Sequence, residues 1–196
     1  MRNLTASDRS ALIKLASTLP SGSPERKAIL AGLQGSSNKT SSGWTTEFNI
    51  PGKHIFGDAV VEGNAKVEGN AKVYDNAMVS GNVMVTDDAQ VFGRAEVLGF
   101  GNAIIFDRAK VYGGAKVSGD AYVYGKAHVY GDAKVGGKAR VYGDAEVKGD
   151  AKVGGDARVY GDAIIGGTAI IIGGEWDGSE GPIMSGTWSA PGVRAR

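Results

Sequence analysis

Residues 113–136 read GGAKVS, GDAYVY, GKAHVY, GDAKVG. Each unit is six residues long, opens with glycine, and places alanine third and valine fifth. On an extended chain, residues two apart point to the same side and the residue between them points to the other. The opening glycine with a following Asp or Asn supplies a bend, because these types tolerate unusual backbone angles. One hexad is therefore a short strand followed by a corner. A strand this short cannot bury its apolar side alone, but stacked coils merge the alanine and valine columns into one core.

The pattern extends in both directions. Seven hexads run from Gly57 to Leu98 and twelve from Gly101 to Ile172, with Gly99 and Phe100 standing between the two runs. The larger inward column is aliphatic at every hexad, from Val61 through Ile105 to Ile171, and the smaller one is alanine everywhere except Val83. This predicts an all-β, single-stranded parallel β-helix over 57–172.

Six-residue repeats with an aliphatic residue and a small residue four positions later resemble the hexapeptide-repeat family. That resemblance covers 57–172 and implies a left-handed, triangular coil of three hexads, or 18 residues. The general preference for right-handed crossovers argues the other way. At about 4.8 Å per strand the rod would be roughly 30 Å long.

An 18-residue coil has a testable consequence, since residues 18 apart should stack and share chemistry. Phe106, Tyr124, Tyr142 and Tyr160 fall on one corner column, and Tyr74, Phe92, Tyr112 and Tyr130 on another. The middle step of the second column is 20 residues, which the extra Gly99 and Phe100 account for, so the insertion reads as a corner bulge that preserves coil phase. Same-face aromatic neighbours on paired strands favour one another. The columns therefore read either as exterior stacking or, at Tyr124, Tyr142 and Tyr160, as a platform for a flat or sugar-like ligand. The remaining face carries Lys116, Lys134 and Lys152 beside Ser118, Gly136 and Gly154. Like charges in register are unfavourable. The lysines read as an anion-binding stripe, or as solvated side chains offset by the turn carboxylates Asp132 and Asp150.

The ends of such a rod expose strand edges that need cover. Residues 1–34 read as a short helical hairpin, with Thr5 or Ser7 capping the first helix, and Ser23 followed by Pro24 opening the second. Two helices this short need a docking partner, so 1–34 is expected to act as an attachment or capping module. Residues 35–56 read as linker and lead-in, and 173–196, with Trp176 and Trp188, as a C-terminal cap.

Composition restricts the chemistry. The 196 residues carry 22 basic and 21 acidic side chains, a formal net charge of +1 that supplies no general pull toward nucleic acid or acidic membranes. With no cysteine, disulfides and thiolate metal sites are excluded. No apolar run approaches the roughly 20 residues that span a bilayer, and Asp8, Arg9 and Lys14 interrupt the N-terminal apolar stretch. The expectation is a cytoplasmic protein, or a virion component if phage-encoded. Half of the 32 glycines open hexads at the corner period, which explains them without a phosphate-binding loop.

The resemblance implies one activity worth testing. Many hexapeptide-repeat proteins are trimeric acyltransferases that use acetyl-CoA or a related donor between subunits, with a histidine as general base. Only two histidines are present, His54 in the lead-in and His128 at an outward position. Glu146 stands one coil after His128, and a carboxylate beside an imidazole orients it, so the two form the catalytic candidate. The repeats lack the long loops that shape acceptor pockets in such enzymes. The related γ-class carbonic anhydrases need three histidine ligands for zinc, and ice-binding β-helices need threonine columns, where these repeats hold only Thr86 and Thr168. The expectation is a non-catalytic structural or interaction rod without cofactor or metal, assembled as a homo-oligomer with a trimer favoured. The alternative is an acetyl-CoA-dependent acyltransferase.

Overall fold

A computed structural model describes residues 54–191 and the backbone of Val193 and Arg194. The expected helical hairpin in 1–34 lies outside the described residues, as does most of the expected lead-in. Residues from His54 onward form one compact unit. It is an all-β parallel solenoid of about 7 turns with about 18 residues per coil, and no helix occurs among the described residues.

Three ladders of parallel strands make three faces, named here by their outward residues. The lysine face stacks Val60, Met78, Glu96, Lys116, Lys134, Lys152, Ile170 and Thr187 in register. The arginine face stacks Lys66, Met84, Ile104, Tyr122, Arg140, Arg158 and Glu175. The histidine face stacks Lys72, Gln90, Lys110, His128, Glu146 and Ile164. Most strands are only two residues long, such as His128–Val129 and Lys134–Val135. Backbone pairing between coils, not strand length, therefore carries the sheet.

The insertion sits where the lysine face turns into the arginine face. There the strands Met78–Val85 and Glu96–Ile105 both run through the corner without a break. Gly81 pairs with Gly99 and Val83 with Ala103, so the two extra residues bulge opposite Asn82 and the pairing resumes in phase. Phe100, at the crest of the bulge, is 92% exposed.

The interior is a dry column. Ala127, Val129, Ala133 and their counterparts from Ala71 to Ile171 are buried. Val61, Ala65 and Val67 of the first coil are only partly buried. Corners explain the glycine period. The first residue of nearly every hexad has a positive φ, as at Gly131 (72°), and a Cβ there would meet the Gly149 backbone nitrogen at 2.9 Å. Asp75, Asp87 and Asp107 adopt the same conformation. Left-handed backbone costs a typical L-residue about 1–2 kcal/mol. Each aspartate offsets part of this by accepting a hydrogen bond from the first amide of the next coil, Asp107 from Gly125 N at 3.0 Å.

The hexad spelling stops at Ile172, but the coil does not. Trp176 stands on Val159, Ile183 on Ile165 and Trp188 on Ile171. One large side chain per face thus replaces the alanine–valine pair at the end of the column. The two indoles meet edge to face at 6.1 Å, and their Nε1 groups donate to the carbonyls of Gly173 and Ser185. Thr187–Ala190 then pairs antiparallel with Val193–Arg194.

Candidate functional site

The outward side chains fall into three groups. The first is the pair of aromatic columns, which stack as parallel rings. Tyr74, Phe92, Tyr112 and Tyr130 have centroids 4.8–5.0 Å apart. Phe106, Tyr124, Tyr142 and Tyr160 are spaced at 4.7–5.1 Å. Stacked aromatic pairs contribute about 0.5–1.5 kcal/mol beyond their buried area. The rings are half-buried. Burial pushes the Tyr124 and Tyr112 hydroxyls above the ordinary phenol range, with their neighbours Tyr142 and Tyr130 adding to the shift. The faces of Tyr124 and Tyr142 are covered by the rings above and below, so a flat ligand meets ring edges along this column.

The second group surrounds His128. Its strand pairs in register with that of Glu146, as the spacing predicts. The Glu146 carboxylate, however, accepts hydrogen bonds from Lys148 Nζ at 2.7 Å and from the Tyr130 hydroxyl at 3.0 Å. The lysine bond, with the Tyr130 bond and the Lys148 and His128 charges behind it, holds the carboxyl below the usual range against a burial effect that raises it. The same carboxylate pushes the Lys148 ammonium up. The His128 imidazole packs edge-on against Tyr112, with ring centroids 6.1 Å apart. Tyr130 and Lys148 were not legible as partners, because register points only to the residue one coil away. The signal lay in the corner column, where Tyr74 reaches Gln90 across the same 16-residue offset that joins Tyr130 to Glu146. At the start of the same face, where Ile55 bridges Val73, His54 Nδ1 lies 2.9 Å from the Ala71 carbonyl. Among the described residues, no three His, Cys, Asp or Glu side chains form a metal cluster.

The third group is the lysine ladder, with Lys116, Lys134 and Lys152 in register as expected. The ion pair in this column joins Lys116 to Glu96 at 2.8 Å. Among the described residues Lys134 and Lys152 form no ion pair, with the turn carboxylates Asp132 and Asp150 or with any other. Beside the lysines the corner column reads Leu98, Ser118, Gly136, Gly154, Ile172. Where the other two corners carry rings, this one opens into a groove of about 450 Å³.

A family model for the YdcK beta solenoid repeat matches residues 71–86 and 151–167, each close to one coil. No curated protein and no solved structure matches the chain significantly. With inward columns continuous through both matched segments, the chain is a β-solenoid repeat protein.

Proposed function

We propose that the chain is a non-catalytic solenoid rod of the hexapeptide-repeat type, wound left-handed, that serves as a spacer or interaction surface in a homo-oligomer, a trimer being the favoured state. The observation that supports this reading is the disposition of Glu146. A general base needs its imidazole oriented by a hydrogen-bonded partner. Here the carboxylate that would do so bonds to Lys148 and Tyr130, while His128 rests on the edge of Tyr112. The chemistry left on this face is that of a hydrogen-bonded exterior.

Calorimetric titration of acetyl-CoA tests the reading against the acyltransferase alternative. No binding tighter than millimolar is expected, and His128→Ala should leave stability within about 0.5 kcal/mol. Micromolar binding that disappears in His128→Ala would overturn it. Residues 1–34 are proposed as the attachment module. Their deletion should leave the rod folded but change its assembly state or solubility, read as the number of protomers per particle by light scattering, and an unchanged number with unchanged partners would remove that role.

A further inference from the structure

The corner between the lysine and arginine faces is built differently from the other two. Six of the hexads end in tyrosine, and the two aromatic columns fill their corners rung after rung. At the third corner, Gly136 and Gly154 leave two successive rungs without a side chain. A Cβ on Gly154 would meet nothing within 4 Å, and one on Gly136 would meet the Ser118 hydroxyl at 3.2 Å. The space is an open groove. It is continuous along the rod axis, with Leu98 and Phe100 at one end and Ile172 at the other. Phe100 is 92% exposed and Ile172 47% exposed, so both present apolar surface to an occupant. Lys134 and Lys152 line the same groove, and among the described residues neither has a carboxylate partner.

We propose that this groove binds a small flat aromatic anion, its ring system lying over Gly136 and Gly154 and its acidic group between Lys134 and Lys152. Room for an aromatic body follows from the repeat, because the equivalent corner positions of the other columns hold rings 4.7–5.1 Å apart. The flanking Phe100 ring and the leucine and isoleucine side chains favour an apolar body over a sugar or a bare inorganic ion. The sign of charge follows from two lysines in register on neighbouring strands, where like charges are unfavourable and a bound anion relieves them. The site lies on a different face from His128, so it stands or falls independently of the non-catalytic reading.

The test uses the full chain and 8-anilinonaphthalene-1-sulfonate, a fluorescent aromatic sulfonate. It should bind with blue-shifted, enhanced emission, and its affinity should fall with added salt. Gly154→Tyr continues the ladder into the groove with the residue the repeat already uses at that position, and should weaken binding at least tenfold. Lys134→Gln with Lys152→Gln should weaken it severalfold and flatten the salt dependence. The uncharged analogue N-phenyl-1-naphthylamine should bind at least tenfold more weakly. An affinity in Gly154→Tyr within twofold of the parent overturns the site. Should that variant not fold, an unchanged affinity in the double lysine variant, whose substitutions are on the surface, overturns it equally.

Discussion

The ammonium of Lys148 lies 5.9 Å from the ring centroid of Tyr130, on the rung where the aromatic column of that corner ends. Lysine there continues the stack with a cation over the last ring face. Its second contact is the 2.7 Å hydrogen bond to Glu146, whose strand pairs with that of His128 one coil earlier. The residue that ends the aromatic column is thus also the one that binds the Glu146 carboxylate.

The Glu146 contact has a pH signature. Its carboxyl is held below the ordinary value, first by Lys148 and then by Tyr130, against burial. A folded value below the unfolded one means stability that is present above the unfolded value and lost as pH falls through the folded one. Glu146→Gln should therefore lower the melting temperature at pH 7, and the difference from the parent should close in acid. Both side chains are about a third exposed, so the effect is limited to about 1 kcal/mol, or about 2–4 °C. A difference that persists undiminished at low pH would show that the charge is not the cause.

Two glycines of adjacent coils should respond oppositely to the same substitution. Gly131 has φ of 72° and faces the backbone of Gly149 at 2.9 Å, so Gly131→Ala should cost more than about 1–2 kcal/mol. Gly154 has open space around its Cβ position. Gly154→Ala should be neutral or stabilise by about 0.4–1 kcal/mol, through lost freedom of the unfolded chain. Denaturant unfolding of the two variants decides the point. Equal destabilisation would contradict the corner geometry.

Val129 has no exposed surface and sits midway along the column. Val129→Asp puts a carboxylate where nothing pairs with it, at a cost of several kcal/mol. The variant should fail to fold, as judged by loss of the β-sheet circular dichroism signal. A soluble, cooperatively melting Val129→Asp protein would refute the inward assignment.

Trp176 closes the column from the arginine face, with 1% of its surface exposed. Removing its ring in Trp176→Ala should cost about 3–5 kcal/mol and expose the last core residues to solvent. Hydrogen exchange should rise first in the amides around Ile165 and Ile171. Uniform loss of protection along the whole rod would instead mean that the end and the middle unfold as one unit.

The coil period, the identity of both inward columns, the phase-preserving bulge and the two aromatic ladders are all legible in the chain, for one physical reason. A solenoid residue pairs with the residue one coil away, so a local six-residue pattern already specifies its long-range neighbour. Val129 beside Val111 and Val147 needs no more than counting. Beyond Ile172 the spelling fails, and only the backbone shows that Trp176, Ile183 and Trp188 continue the three faces, because one large ring can take the place of an alanine and a valine. The outward side chains are also beyond counting. Glu146 has His128 one rung back, Tyr130 at the corner and Lys148 two residues on, all within reach. Which of them it bonds depends on rotamers and charge in three dimensions, and it bonds Lys148 and Tyr130. Likewise Lys134 and Lys152 stand near Asp132 and Asp150 in sequence but form no ion pair with them. Periodicity specifies where a backbone goes, whereas the pairing of exposed charges is settled by geometry that no repeat encodes.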